Sequence, residues 1–356
     1  MKRITLLDLF SGIGGFHLGL EKAGFKVNSY FSEIDKHAIS VYQNNFKKSK
    51  YVGSITDVRG TQLSRINAIT FGNPCQDFSL AGKRQGMAGK RSSLILEAIR
   101  LIEECRPNFF IWENVKGTFS SNNREDFAAI LQAFTNIGGY RLEWQLLNTK
   151  WFLPQNRERI YLVGYIGKRS GRQIFPIGQS NQRYDKQKES SATITSSYHK
   201  GVNFDNQLIV ESNDTSCNQA IIGAMRGRNP DNPSDRTKGS PTEQRLEINQ
   251  SGVSNTLTSV QKDNLVIVDF RYDEGFRWRK NKLSPTLTLN KPTFLKNKRI
   301  RRLTPIECER LQGFPDNWTQ YGTEGLVSDA QRYKLCGNAV TVDVVQAVGK
   351  RIKNVL

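Results

Sequence analysis

At 356 residues the chain is longer than one minimal hydrophobic core requires, so we expect a main domain and a second, smaller one. Its 52 lysine and arginine residues outnumber its 33 aspartate and glutamate residues, and the formal net charge of +19 indicates a polyanionic partner, by default nucleic acid. Five scattered cysteines without a C-x-x-C pair and only three histidines argue against a disulfide framework, a metal site and histidine-based acid–base chemistry.

Strands and helices alternate through the first half of the chain. Apolar runs predict strands at residues 4–10, 26–31, 68–71, 108–112, 141–147 and 159–164. Amphipathic spacing predicts helices at residues 16–23, 94–105 and 124–137, and Asp35 can cap a further helix. Alternation with short loops indicates a parallel, doubly wound sheet, and therefore an α/β fold.

A glycine-rich segment, DLFSGIGGF at residues 8–16, follows the first predicted strand. Its glycines let the backbone approach a ligand and present helix N-terminal amides to it. A dinucleotide fingerprint needs a third glycine where His17 stands, which weakens that interpretation. Glu33 is suited to ribose hydroxyls and Asp57 to an adenine amino group, so S-adenosylmethionine fits better; a purely structural glycine cluster is the alternative.

The segment GNPCQDFS places Cys75 directly after Pro74, at the carboxyl end of the strand predicted at residues 68–71. In an open α/β sheet that edge is where ligands bind. The surrounding residues are polar and basic, which favours a reactive thiolate over the alternative of a small buried cysteine.

Two further strands carry charged residues at their ends. Glu113 closes the apolar run at residues 109–111, and adjacent strand ends predict that it lies close to Cys75. Arg157 and Arg159 precede the next apolar strand, where a guanidinium group suits a base carbonyl or a phosphate, although solvated arginines are the alternative.

The composition changes after residue 167. From Lys168 to Arg302 the chain has 24 basic and 13 acidic residues, with few convincing helices. A phrase of alternating Thr and apolar residues recurs at residues 191–195, 254–258 and 284–288, too unevenly for a solenoid. Disorder is the alternative, but apolar runs at residues 208–210 and 265–268 indicate a small, folded β-rich domain.

The last part of the chain again predicts helices. A capping box begins at Thr304, and a final helix is predicted at residues 340–353, opened by Gly337-Asn338-Ala339-Val340. The N-terminus lacks a signal-peptide core and no apolar run reaches about 18 residues, so we expect a cytoplasmic protein with no membrane partner.

Six sequence blocks occur together and in order between residues 8 and 340: DLFSGIGGF, GNPCQDFS, ENVKG, QNRERIYLVG, RRLTPIECERLQGFP and YKLCGNAV. They resemble the blocks of the cytosine-C5 DNA methyltransferases, and only the basic region is left unmatched. The resemblance implies a Rossmann-like S-adenosylmethionine-dependent domain at residues 1–167 and 301–356. It also implies an inserted target-recognition domain at residues 168–300. The final helix is expected to pack beside the first strand.

The resemblance also implies roles for individual residues. Cys75 matches the nucleophile, Glu113 the partner of cytosine N3, Arg159 a contact to cytosine O2 and Arg157 a supporting catalytic residue. The positions that match cofactor contacts are Phe10, Ser11, Gly12, Ile13, Gly14, Gly15, Glu33, Ile34, Asp57, Val58, Pro74, Asn338 and Val340. Those expected to touch DNA are Ser79, Lys83, Arg84, Lys90, Arg91, Thr256 and Thr286.

The activity implied is methylation of a cytosine flipped out of double-stranded DNA, at a short sequence as in restriction-modification. The expected enzyme is a monomer, and a companion restriction endonuclease is its possible functional partner. Three alternatives stay open: an RNA cytosine methyltransferase, a sequence-specific DNA-binding protein without catalysis and a nicotinamide oxidoreductase.

Overall fold

The computed structural model describes residues 2–73, 93–120, 125–166, 173–178, 221–231, 241, 243–249, 254–257, 265–271, 275–277 and 298–356. The expected nucleophile and several expected ligand contacts lie outside these residues, namely Pro74, Cys75, Ser79, Lys83, Arg84, Lys90, Arg91 and Thr286. The recurring phrases at residues 191–195 and 284–288 also lie outside them.

The first half alternates between strand and helix as predicted. Its elements are β1 (Lys2–Leu9), α1 (Gly15–Lys22), β2 (Phe25–Ser32), α2 (Lys36–Asn45), β3 (Lys50–Tyr51), β4 (Ala68–Phe71), α3 (Ser93–Cys105), β5 (Phe109–Val115), α4 (Gly117–Ser120), α5 (Glu125–Asn136), β6 (Arg141–Asn148), β7 (Gln155–Asn156) and β8 (Glu158–Tyr165).

The second half begins with short strands and ends with helices. Its described elements are β9 (Ile221–Arg228), β10 (Glu243–Asn249), β11 (Ser254–Asn255), β12 (Leu265–Arg271), β13 (Gly275–Arg277), β14 (Lys298–Arg302), α6 (Pro305–Leu311), β15 (Tyr321–Gly322), β16 (Gly325–Leu326), α7 (Asp329–Asn338) and α8 (Val342–Val355). The predicted capping box is present, with the Thr304 side chain accepting from the Glu307 amide. Among the described residues, no helix combines the length and the apolar character needed to cross a bilayer.

A central sheet in the order β3-β2-β1-β4-β5-β8-β6 organises the described residues. The strands from β3 to β5 are mutually parallel, as predicted, because a helix or long connection returns the chain between them. β8 differs from the prediction: it runs antiparallel to both neighbours, β5 and β6. The short connection from β6 to β8 contains no crossover helix, and such a connection joins antiparallel strands.

Apolar residues cover both faces of the sheet, because successive side chains of a strand point to opposite faces. In β1, Ile4 and Leu6 pack in the cluster that contains residues of α1 and α8, whereas Leu7 and Leu9 pack with α3 and α5. The sheet is therefore doubly wound, as the sequence predicted.

The C-terminal helix α8 packs on α1 and beside β1, as predicted. A Cβ added at Gly19 would lie 2.5 Å from Val345, and one added at Gly349 would lie 2.8 Å from Ala23. These two glycines let the helices approach closely, and the contact brings the end of the chain to the start of the sheet.

Strands β9, β10, β12, β13 and β14 form a second, antiparallel sheet in the order β10-β9-β12-β13, with β14 paired to β12. The described part of residues 221–302 is therefore rich in β-strands. Residues 173–178 belong elsewhere: Ile174 and Ile177 are buried in the core cluster of the central sheet, and Glu143 accepts hydrogen bonds from the Ile174 and Phe175 amides.

Candidate active site

The carboxyl ends of β1, β2, β4 and β5 meet at one edge of the central sheet, because these strands are parallel neighbours. The loop at residues 10–14 follows β1, Glu33 follows β2, Asn73 follows β4, and Glu113 lies near the end of β5. This edge collects most of the described residues that the sequence predicted to bind a ligand.

The glycine-rich loop after β1 holds backbone conformations that few side chains allow. Gly12 and Gly14 have φ values of 53° and 85°, and Phe10 has a φ of 51° although it is not glycine. A Cβ at Gly14 would lie 2.4 Å from the Phe46 ring. The loop thus presses against the α2 helix, and α1 begins directly after it at Gly15.

Glu33 joins this loop to the segment that precedes α2. Its Oε2 accepts a hydrogen bond from the Gly12 amide at 2.9 Å, and its Oε1 accepts from the Ile34 amide at 2.7 Å and the Asp35 amide at 3.0 Å. A carboxylate at the end of β2 is therefore fixed beside the amides of the loop, in the position expected for a ribose partner.

Polar and apolar groups that a ligand can use lie around Glu33. The Ile34 side chain is 80% exposed, although it is a large aliphatic group. Ser11 is buried, and its Oγ has no hydrogen-bond partner among the residues described. Asp57 is the exposed last residue of a turn at residues 55–57, and the next residue, Val58, is buried. An apolar surface, an unsatisfied hydroxyl group and carboxylates are the groups that adenosine needs.

Asp8 lies under the loop as a buried carboxyl group that the sequence analysis did not single out. Burial raises the pKa of Asp8 to about 8, although hydrogen bonds from Thr70 and Tyr42 oppose the shift. Thr70 Oγ1 donates to Asp8 Oδ1 at 2.7 Å, and the Tyr42 hydroxyl lies 3.3 Å from Oδ2 and 3.0 Å from His17 Nδ1. Periodicity marked Asp8 only as part of an apolar strand.

Asp8→Asn is expected to change how stability depends on pH. Because the folded-state pKa of Asp8 exceeds its ordinary value, the folded protein binds the extra proton and loses stability as pH rises through about 8. The asparagine variant does not titrate there. Its free energy of unfolding, measured with urea at pH 6 and pH 9, should fall by about 2–3 kcal/mol less than that of the wild type, since the linkage acts from pH 6 to about 8.

The exposed residue Asp57 supplies the control for this prediction. Asp57→Asn makes the same chemical change outside the core and should keep the pH dependence of the wild type. Equal slopes for Asp8→Asn and the wild type would show that Asp8 is ionised in the folded state.

The Glu113 carboxylate and the Arg159 guanidinium form a largely buried ion pair. Glu113 Oε1 lies 3.1 Å from Arg159 Nε, without the alignment of a hydrogen bond. Gly72 leaves room for this carboxylate, since a Cβ there would lie 3.0 Å from Glu113 Oε2. The structure thus brings together Glu113 and Arg159, which are 46 residues apart in the sequence.

Asn73 fixes the chain directly before Pro74 and Cys75. The Trp112 indole donates to Asn73 Oδ1 at 2.8 Å, and the Asn114 amide donates to the Asn73 carbonyl at 3.2 Å. Trp112 and Asn114 flank Glu113 in β5, so the residue two positions before Cys75 is tied to both neighbours of the carboxylate. Sequence reasoning missed this network, since each of its members is an ordinary residue in a buried strand or loop.

Arg157 occupies a different position from Arg159. Its Nη1 donates to the Gly337 carbonyl at 3.3 Å and its Nη2 to the Ala339 carbonyl at 3.0 Å. The guanidinium group therefore contacts the segment that contains Asn338, a contact that the sequence did not predict.

The prediction that Gly337-Asn338-Ala339-Val340 opens the last helix is wrong. Gly337 and Asn338 end α7, and α8 begins at Val342 after Thr341. The segment still reaches the end of the glycine-rich loop, because a Cβ added at Gly15 would lie only 2.6 Å from the Val340 side chain. Asn338 is exposed there. Contact with α1 and Arg157, rather than helix amides, positions this segment.

Residues 254–257 contact the segment that precedes β8. β11 pairs with β7, and the Thr256 hydroxyl donates to the Asn156 carbonyl at 2.8 Å. Leu257 is buried with Leu303 and Leu311. Thr256, an expected DNA contact, is thus packed against the segment that contains Arg157 and Arg159.

Cysteines that the structure describes are poor nucleophiles. Burial raises the pKa of Cys105 to about 11, and it also raises the pKa values of Cys308 and Cys336 above their ordinary value. Within the described ranges, no group of three or more His, Cys, Asp or Glu side chains is arranged to hold a metal ion.

Known proteins resemble this chain over its whole length. A family model described as C-5 cytosine-specific DNA methylase matches residues 4–354. The type II methyltransferase M.NlaX of Neisseria lactamica is 31% identical, covering 99% of this chain and 96% of its own. M.FnuDI of Fusobacterium nucleatum is 30% identical, covering 99% and 95%. The solved structure of the Entamoeba histolytica methyltransferase EhMeth, at 18% identity, shares the fold, with a TM-score of 0.61 over 99% of both chains.

Proposed function

Because the chain belongs to the C-5 cytosine-specific DNA methylase family, we propose that Cys75, Glu113 and Arg159 carry out the methylation of cytosine in DNA. We further propose S-adenosylmethionine as the methyl donor and double-stranded DNA as the substrate. The observation that carries the proposal is the Glu113–Arg159 pair, which lies beside the anchored residue Asn73, two positions before Cys75.

The reaction explains why these side chains are needed. Carbon 5 of cytosine is a poor nucleophile, and addition of the Cys75 thiolate to C6 makes C5 enamine-like. Glu113 holds a proton at N3 and draws electron density from the ring, while the Arg159 guanidinium stabilises O2. After C5 has taken up the methyl group from the donor, removal of the C5 proton lets the thiolate leave by β-elimination. Such chemistry requires a base flipped out of the duplex.

The residues around the glycine-rich loop fit S-adenosylmethionine, which supplies an electrophilic methyl group when bound. Glu33 would hold the ribose hydroxyls, the Ser11 hydroxyl would gain the partner it lacks, and Ile34 would cover one face of the adenine ring. Asn338 and Val340 would close the same site from the C-terminal side. Phe10, Gly12 and Gly14 shape the backbone that approaches the ligand.

Ile34→Ala is expected to weaken binding of S-adenosylmethionine about tenfold. The substitution removes apolar carbons that would be buried against the adenine, at about 0.8 kcal/mol for each CH₂ group. Because Ile34 is exposed, folding should be unaffected. Isothermal titration calorimetry measures the Kd. Leu326→Ala removes an equally exposed aliphatic group, at 73% exposure, and should leave the Kd unchanged. A wild-type Kd for Ile34→Ala would remove Ile34 from the site.

The basic insert is proposed to recognise the DNA sequence. Its excess of basic residues suits phosphate contacts, and strands β9, β10, β12, β13 and β14 supply a separate sheet for base contacts. We keep the division into residues 1–167 with 301–356 and residues 168–300 as a proposal. Because Ile174 and Ile177 pack in the catalytic core, the part proposed to recognise bases begins after residue 178. We further propose that the enzyme is a cytoplasmic monomer and that its functional partner is a companion restriction endonuclease.

Bisulfite sequencing of genomic DNA tests this function. The full chain is expressed in a host without cytosine methylation, with Cys75→Ser as the inactive control. Methylated cytosines confined to one short motif would support a sequence-specific DNA methyltransferase. An unmethylated genome, together with methylation of RNA transcripts in vitro, would point to the RNA alternative. Absence of both reactions from a folded protein that binds DNA would point to a binding protein.

A further inference from the structure

A buried polar cluster links the strand that carries Arg159 to the segment that contains Asn338. It is built around Arg157, whose side chain is buried although it bears a full charge. Two of its N–H groups donate to the carbonyls of Gly337 and Ala339, one on either side of Asn338. A guanidinium group is the side chain whose planar fork can satisfy two acceptors at once.

Hydroxyl and amide groups extend this cluster. Thr341, directly after the segment, has its Oγ1 2.9 Å from Thr149 Oγ1 and 3.0 Å from Gln312 Oε1. The Thr149 amide donates to the Arg157 carbonyl at 2.9 Å. The backbone and the side chain of Arg157 are therefore both tied to the residues around positions 337–341. We name Arg157, Thr149, Gln312 and Thr341 the clamp.

The clamp lies between two parts of the proposed site. On one side Arg159, two residues after Arg157, pairs with Glu113. On the other side Val340 packs against Gly15 at the start of α1, beside the glycine-rich loop. The segments joined by the clamp are about 180 residues apart in the sequence, and the insert lies between them.

We propose that Arg157 is a positioning residue that holds the Asn338 segment in the shape that binds S-adenosylmethionine, rather than a catalytic residue of the base site. This inference rests on the proposed function and deepens it. The resemblance implied a catalytic role for Arg157, whereas its hydrogen bonds go to backbone carbonyls around a proposed cofactor contact. Without these two hydrogen bonds the segment would be less ordered. Binding of the cofactor would then have to order it, which weakens the affinity for the cofactor.

Arg157→Lys tests the proposal, because an ammonium group retains the charge but not the planar fork. Three quantities are measured on the full chain: the Kd for S-adenosylmethionine by calorimetry, the KM and kcat for methylation, and the exchange of the cytosine C5 hydrogen with solvent without cofactor. In that exchange the thiolate adds to C6, a proton adds to C5, and loss of the original C5 hydrogen with elimination of the thiolate restores cytosine. It therefore reports the base site alone.

We expect Arg157→Lys to change cofactor binding much more than the exchange of the cytosine C5 hydrogen. The Kd and KM for S-adenosylmethionine should rise about tenfold or more, as loss of a hydrogen bond to a charged group allows. The exchange rate should fall far less. Thr341→Val, which removes the hydroxyl that joins Thr149 and Gln312, should shift the Kd in the same direction and decides the matter if Arg157→Lys does not fold.

Arg106→Lys is the matched control. Arg106 also donates from its guanidinium to two backbone carbonyls, those of Ile137 and Gly138, but it lies after α3 and away from the carboxyl edge of the sheet. Its Kd for S-adenosylmethionine should be that of the wild type.

Two results would overturn the proposal. A loss of C5 exchange as large as the loss of methylation, with an unchanged Kd, would return Arg157 to the base site. A lowered melting temperature with unchanged Kd and exchange, as expected for Arg106→Lys, would leave Arg157 a purely structural role. Failure of the proposed function is distinguishable, because then the wild type itself would neither methylate DNA nor exchange the C5 hydrogen.

Discussion

Cys75→Ser is expected to lower methyl transfer by at least about 10³-fold while DNA binding stays measurable. A serine hydroxyl in place of the thiolate cannot add to C6 at a useful rate, so C5 never becomes nucleophilic. The described cysteines, Cys105, Cys308 and Cys336, are poor substitutes for the Cys75 thiolate, because their pKa values are raised. The measurement is transfer of a labelled methyl group to DNA, with DNA binding followed by anisotropy.

A trapping experiment makes this prediction specific. The wild type should form a covalent adduct with an oligonucleotide that contains 5-fluorocytosine, since fluorine blocks the elimination that releases the thiolate. Cys75→Ser should form none. Cys105→Ser makes the same change in a half-buried cysteine and should keep both reactions. Turnover by Cys75→Ser near the wild-type rate would sink the assignment of the nucleophile.

Glu113→Gln is expected to lower the rate of a single turnover by about 10²- to 10⁴-fold. Glutamine has nearly the same shape but cannot deliver a proton to cytosine N3. It also removes the negative partner of the Arg159 guanidinium, 3.1 Å away. Because Glu113 belongs to the proposed base site rather than to the proposed cofactor site around Glu33, the Kd for S-adenosylmethionine should stay close to that of the wild type. Rapid-quench measurement of methyl transfer with saturating DNA and cofactor gives the rate.

Glu158→Gln is the control for this change. Glu158 is adjacent to Arg159 in β8, but its side chain is 40% exposed and pairs with Lys116 at 2.9 Å. An exposed pair of this kind contributes little, so the variant should react at close to the wild-type rate. If Glu113→Gln retained a rate within threefold of the wild type, proton delivery by Glu113 would not be part of the mechanism.

Local patterns were sufficient to predict the parallel strands of the central sheet and to single out several candidate site residues. The apolar runs at β1, β2, β4 and β5 and the glycine-rich loop are features of adjacent residues, and backbone sterics act at that range. Glu33 and Glu113 were found because each follows or closes such a run. Parallel neighbours then bring the strand ends together without further information.

Contacts between distant segments could not be read in the same way. The bonds from Trp112 to Asn73 and from Arg157 to Ala339 join residues that are 39 and 182 positions apart. No periodicity marks such partners, because their distance depends on how whole elements pack. The same reason explains the misplaced start of α8: the sequence does not reveal that Asn338 ends one helix before Thr341 precedes the next.

The sequence by itself determined the doubly wound α/β plan, the family and the chemical types gathered at the carboxyl edge of the sheet. Each of these depends on short-range patterns and on the identity of single residues, both of which can be read directly from the sequence. The tertiary structure alone decided that β8 runs antiparallel, that Asp8 is buried with a raised pKa, and that Arg157 contacts the Asn338 segment while Arg159 contacts Glu113. Those properties depend on burial and on neighbours supplied by remote parts of the chain, and only the packed molecule brings them into contact.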